Sequence, residues 1–130
     1  MAICFLDPKQ ERRLREGINS DPEFKLAAEF MTQDVLLGAD DSRCLIKVRD
    51  GVVTEIKVSP TFLEPWGFAI RASAQFWEKF LQPVPPPFHN GLFAGMTHGI
   101  LKIEGNLEAA FAHFWAMCRM LDVMRQLQNE

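Results

Sequence analysis

The stretch "GILKIEGNLEAAFAHFWAMCRMLDVM", residues 99–124, decides the reading of this 130-residue chain. Its first part reads as a short strand. Gly105-Asn106 stops it, and Asn106 is placed to cap a helix running to about Gln128. On that helix Leu107, Ala110, Phe111, Phe114, Trp115, Met117, Cys118, Leu121 and Met124 spread over roughly 180°, wider than the usual apolar stripe of about 100°. Ala109, Ala112, Ala116 and Arg119 occupy the other side. The helix therefore meets a sheet over part of its face and something else over the rest: another helix, a partner subunit or a ligand. Met117, Met120 and Met124 are flexible side chains that suit an adaptable apolar surface, and they also serve as core filler.

Working upstream, "EPWGFAIRAS" (64–73) reads as a strand with Trp66, Phe68, Ile70 and Ala72 on one face. Ser73 caps a short helix, "AQFWEKFLQ", whose Phe76, Trp77, Phe80 and Leu81 form one apolar side. "PVPPPFHNG" (83–91) is loop, because its prolines donate no hydrogen bonds and hold extended geometry. "LFAGM" adds one helical turn. "RCLIKVRDGVVTEIKV" (43–58) alternates in both arms, as a half-buried hairpin does. A two-residue Asp50-Gly51 loop would set Ile46 against Glu55 and put the apolar faces out of phase. The pattern thus predicts a three-residue loop, Arg49-Asp50-Gly51, pairing Val48 with Val52 and Cys44 with Ile56, with Gly51 left-handed. "QDVLL" is a preceding strand and "GADDS" a turn. Asp7-Pro8 starts a first helix ending near Gly17, and Ser20 with Glu23 has capping-box spacing for a second, which buries Phe24, Ala27, Ala28 and Met31. The order of elements is an α+β pattern in a single domain. Residues 1–17 read as a helical extension to a domain over 18–130.

Composition narrows the function. Fourteen basic and 17 acidic residues give a net charge of −3, without the basic footprint that nucleic-acid binding leaves. Arg12, Arg13 and Arg15 are offset by Glu11 and Glu16 and read as a solvated helix face. Cys4, Cys44 and Cys118 are odd in number and widely spaced, which suggests neither a disulfide framework nor a metal motif and fits a reducing, cytoplasmic setting. The N-terminal residues are too short in apolar character for a signal peptide, and no run approaches the roughly 18 apolar residues of a membrane span. Eleven Phe and three Trp accompany no Tyr at all. Phe needs no polar partner, so this usage suits a dry core, or a core that also lines a cavity.

Three segments together resemble a known family: "FMTQDVLLGADDSRCLIKVRDGVV" (30–53), "FAIRASAQFWEKFL" (68–81) and "GILKIEGNLEAAFAHFWAMCRML" (99–121) are similar to the sterol-carrier-protein-type lipid-binding domain. The carrying features are the "RDGVV" hairpin turn, the aromatic-rich strand-to-helix step, and the late strand running through a small-residue stop into a long helix. The resemblance implies a twisted, five-stranded, largely antiparallel sheet covered by helices. It implies a tunnel between sheet and helices for sterols, fatty acids or acyl-CoA-like molecules, and no cofactor. By position the implied ligand-binding lining is Trp66, Phe68, Phe76, Phe80, Leu92, Phe93, Met96, Phe111, Phe114, Cys118 and Leu121, with the last helix facing the Trp66–Ile70 strand across the tunnel. The proline-rich segment departs from the family pattern at what would be the tunnel mouth, and the chain ends "LQNE", not in a peroxisomal signal.

Other classes stay in view. The sequence contains no G-x-S-x-G, P-loop or H-E-x-x-H pattern. Its histidines are His89, His98 and His113. His89 and His98 flank an apolar turn; either would act as a general base at a tunnel mouth with Glu64 or Asp34 as partner, or both are plain loop histidines. Zinc binding there lacks further ligands. A small cone-shaped α+β enzyme of the ketosteroid-isomerase type has similar length and a greasy pocket, but such chains finish on sheet strands where this one finishes on a helix. A third reading is an interaction module whose wide helix face is a homodimer seam. The reading favoured is a non-catalytic carrier of a hydrophobic small molecule that hands its cargo to a partner enzyme.

Overall fold

The computed structural model describes residues 3–130. Five strands form one mixed sheet: β1 (Gln33–Ala39), β2 (Ser42–Arg49), β3 (Val52–Val58), β4 (Phe68–Ala72) and β5 (Leu101–Gly105), in the order β3-β2-β1-β4-β5. Three neighbouring pairs are antiparallel and β1–β4 is parallel. Six helices accompany it: α1 (Glu11–Ser20), α2 (Pro22–Ala27), α3 (Ala74–Phe80), α4 (Leu92–Thr97), α5 (Leu107–Ala112) and α6 (Phe114–Gln128). The architecture is the expected α+β single domain with a long C-terminal helix.

Alternation places the core. Val35, Leu37, Cys44, Ile46, Val48, Ile56, Phe68, Ile70 and Leu101 face the helices in one continuous apolar cluster. The opposite face carries a small patch of Leu36, Leu45 and Ala69, covered by Trp66. β1 is therefore buried on both faces, as a central strand is. Trp66 does not share the face of Phe68 and Ile70. The regular strand begins only at Phe68, after Gly67 donates to the Asp34 carbonyl, and the indole lies beyond the reach of its alternation.

The β2–β3 hairpin departs from the expected three-residue loop. Arg49 pairs with Val52 and Val48 with Val53 across a two-residue Asp50-Gly51 turn whose φ values, 50° and 78°, are the positive pair a type I′ turn requires. The register then shifts so that Lys47 faces Glu55 and Ile46 faces Ile56. Thr54 is the extra residue of a bulge, its hydroxyl donating to the Lys47 carbonyl. The bulge restores the apolar phase that a longer turn was expected to supply.

Caps differ in detail. Asp7 caps a 3₁₀ turn at Pro8–Gln10, and α1 then runs past Gly17. Gly17 is no stop: a Cβ there would sit 2.7 Å from Leu127 Cδ1, so the glycine admits α6 against α1. The position 17/18 falls inside α1, and Leu14 and Ile18 lie in the same core. Asp21, not Ser20, caps α2, accepting from the Phe24 amide, while Arg119 of α6 grips the same carboxylate with two bonds of 2.8 Å. Phe24, Ala28 and Met31 are buried as expected, whereas Ala27 is exposed. Ser73 caps α3, whose Phe76, Trp77 and Phe80 are buried, as is Leu81 just past its end.

The predicted single last helix is two. His113, at φ −109°, interrupts it. α5 packs on β4 and β5, while α6 packs on α1 and α2. One straight axis does not serve both contacts, and the tertiary demand overrides the uninterrupted helical pattern.

Candidate functional site

The break at His113 opens an apolar cavity of about 620 Å³, within the range of small-molecule sites. One wall is α4 and the residue before it: Gly91, Leu92, Phe93 and Met96. The other is Phe111 of α5 with Phe114, Trp115 and Cys118 of α6. α4 is held close because Gly95 has no side chain; a Cβ there would sit 2.8 Å from Leu101 Cδ2 and 3.3 Å from the Phe76 ring. Leu92 anchors α4 in the core. Across the gap Phe111 and Phe114 stack at 6.4 Å, and Trp115 meets Phe114 edge-on at 5.8 Å. Phe93, Phe111 and Trp115 are 65%, 52% and 78% exposed, so the cavity opens to solvent between aromatic rims.

Six of the eleven residues expected in the lining converge here: Leu92, Phe93, Met96, Phe111, Phe114 and Cys118. Phe76 and Phe80 lie behind α4 in a buried aromatic cluster with Trp77. Phe68 and Leu121 belong to the filled core, and Trp66 sits on the far face of the sheet. The wall facing the last helices is thus α4, not the β4 strand, because core side chains fill the space between sheet and α6. Trp115 joins the lining unannounced. Its spacing signalled it, since 111, 114, 115 and 118 follow the i, i+3, i+4, i+7 rule of one helical face.

Among the described residues, Cys118 is the one ionisable side chain in the cavity lining. Burial, with a smaller push from the Asp122 charge, raises the Cys118 thiol to about 11, which keeps it protonated and a poor nucleophile near neutrality. His89 Nδ1 lies 2.9 Å from the Pro87 carbonyl, and its ring sits 5.5 Å from Phe76. The His98 ring rests 4.1 Å from Phe88. Neither meets the carboxylates considered as partners. Asp34 holds Arg49 at 2.8 Å, and Glu64 holds Lys57 at 2.5 Å. His113 serves the helix break through its backbone, donating to Ala109 and accepting from Met117. No cluster of three metal-ligating side chains occurs among the described residues. Two other hollows, of about 290 and 400 Å³, have mixed linings, with Asp7 and Arg13 beside Leu127 in one and Asp34 and Arg49 beside Pro65 and Trp66 in the other.

No family model and no curated protein sequence matches the chain. Solved structures do. Sterol carrier protein 2 superposes with a TM-score of 0.73 at 15% identity, over 88% of this chain and 92% of that one. A conserved hypothetical protein of Thermus thermophilus, a candidate sterol carrier protein, gives 0.72 at 14% identity, over 96% and 90%. A UbiJ-SCP2 ubiquinone synthesis protein gives 0.59 at 13% identity, over 89% and 92%. The likeness is one of fold: the chain has the architecture of sterol carrier protein 2.

Proposed function

We propose that the chain binds a hydrophobic small molecule, of the sterol, fatty-acid or acyl-CoA class, in the cavity between α4 and α5–α6, and releases it to a partner enzyme. One observation carries the reading: a cavity of about 620 Å³ whose walls are almost wholly apolar, in a fold shared with sterol carrier protein 2. An apolar ligand burying about 300 Å² there gains roughly 7 kcal/mol at about 25 cal/mol per Å². Association costs at least about 4 kcal/mol, so that area alone leaves a net of about 3 kcal/mol, and a ligand that buries about 500 Å², gaining about 12 kcal/mol, reaches micromolar affinity. The open aromatic rim favours exchange over sequestration. A carrier reading is preferred to an enzyme because the protonated thiol and the two isolated histidines supply no nucleophile–base pair. Free thiols at Cys4, Cys44 and Cys118 support a reducing, cytoplasmic setting.

The test is native mass spectrometry of freshly purified protein, followed by titration of the delipidated protein with NBD-stearate. An apolar adduct and saturable, one-site binding are expected. The absence of both an adduct and saturable binding at high micromolar probe overturns the proposal.

A further inference from the structure

The two edges of the sheet are treated differently. At β3 the outward backbone is filled by side chains of α1: Asn19 donates to the Val53 carbonyl and accepts from the Val53 amide, both at 2.8 Å, and Glu11 accepts from the Ile56 amide at 3.1 Å. That edge is stopped. At the other margin β5 pairs only with β4, and among the described residues no group bonds the outward N–H and C=O groups of residues 101–105. An open edge is a template for another strand.

We propose that this edge pairs with the β5 of a second copy, antiparallel about Ile103, to give a two-fold dimer with one continuous sheet. Charge complementarity names the occupant. Leu101 and Ile103 face the helical layer, while Lys102 and Glu104 are exposed on the opposite face. Centred on Ile103, the pairing sets Lys102 opposite the partner copy's glutamate and Glu104 opposite its lysine. Only even slips keep the faces matched. A slip by two in one direction sets lysine against lysine, and in the other glutamate against glutamate, which disfavours both. The "KIE" triplet is therefore complementary to itself in one register. Arg71, 3.0 Å from Glu104, extends the ladder of alternating charge into β4.

The flanks add area. α4 and α5 pack on β5 and present Phe93, Leu107 and Phe111, each about half exposed or more. At roughly 100 Å² apiece they contribute about 300 Å² of apolar surface per copy beside the strand pair. That falls short of the roughly 800 Å² per partner of a standard interface, so the dimer is a concentration-dependent one. Both helical layers then lie on the same side of the joined sheet, and each cavity sits beside the two-fold axis.

The test is sedimentation equilibrium of the full chain, without ligand, from about 1 to 500 μM at low salt, which keeps it independent of the lipid reading. A monomer–dimer equilibrium is expected for the parent. Lys102→Glu and Glu104→Lys each weaken it by about tenfold or more, and the double variant Lys102→Glu/Glu104→Lys returns to within about threefold of the parent. Circular dichroism shows that each variant is folded. Lys102 has no acidic partner among the described residues of its own chain, so Lys102→Glu carries the test even if Glu104→Lys fails to fold. A parent that stays monomeric throughout, or a dimer indifferent to Lys102→Glu, overturns the proposal.

Discussion

Replacing Cys118 with tryptophan separates a cavity from a filled core. Cys118 lies on the wall of a hollow of about 620 Å³, half-buried beside Phe114. An indole carries about 200 Å² of surface, and half of it projecting inward would take about 100 Å² of contact from a ligand. At about 25 cal/mol per Å² the loss is about 2.5 kcal/mol, or roughly 70-fold in affinity. Stability responds in the opposite sense to a core site. Entering empty space, the ring costs under about 1 kcal/mol, whereas the same enlargement in a packed interior costs about 1–3 kcal/mol. Unfolding entropy of about 2.1 cal/mol/K per residue makes 1 kcal/mol worth about 4 °C for a chain of this length. The assay is paired: thermal melts by circular dichroism and NBD-stearate titration of parent and Cys118→Trp at matched concentration. The expected result is a Tm within about 4 °C of the parent with probe binding weakened by well over tenfold. A Tm drop of about 8 °C or more, or probe binding equal to the parent's, refutes the reasoning.

Three further outcomes are expected. Gly51→Ala destabilises by about 2–3 kcal/mol in urea unfolding, because residue 51 holds φ 78° and its Cβ would lie 2.6 Å from the Ala28 carbonyl oxygen; a neutral change would mean that the turn relaxes freely. Asp21→Asn costs about 2 kcal/mol at pH 7 by weakening the charged bonds to Arg119. Because Arg119 holds the Asp21 carboxyl below its usual range, that contribution is complete above the unfolded pKa of about 3.9 and fades as pH falls through the lower folded value; an equal deficit at pH 7 and pH 2 contradicts it. His89→Ala and His98→Ala leave NBD-stearate binding within about threefold of the parent, since both rings rest on loop and aromatic neighbours outside the cavity lining. A substrate whose turnover collapses in either variant would instead establish an enzyme.

Alternating strands and caps were legible where local chemistry decides them. Ser73 and Asn106 cap the helices their positions suggested, each accepting an amide three residues on. The hairpin shows where such reading stops. Its phase conflict was visible in "VRDGVVTEI", but a conflict of one residue has two remedies, a longer turn or a bulge. The choice is settled at a distance. The Gly51 amide bonds the Met31 carbonyl at 2.9 Å, and the Asp50 amide bonds the Thr32 hydroxyl at 3.0 Å, which tie the tight turn to the segment between α2 and β1. The α2 cap has the same character. Ser20 and Asp21 both precede the helix, and the carboxylate that also meets Arg119, 98 residues away, is the one that caps.

The excess apolar width of the last helix has a resolved cause. At 100° per residue, Ala116, Met117, Met120, Leu121, Val123 and Met124 occupy roughly 160° of α6 and are buried. Phe114, Trp115 and Cys118 occupy the adjoining arc of about 100° and face the cavity. One turn further along, that arc carries Asp122 and Arg125, paired at 3.1 Å, so the apolar wall ends at Cys118. A wheel drawn through His113 as one helix blurs these arcs: it sends Ala116 to the outer side, where the protein buries it. The break also explains why Phe68 and Leu121 drop out of the expected lining. The helix pair bends, its second half settles on α1 and α2, and the hollow is left against α4 at the end of the sheet. There a mobile six-residue helix would close it, were α4 not fixed by Leu92 and by the close seat that Gly95 allows on Leu101 and Phe76.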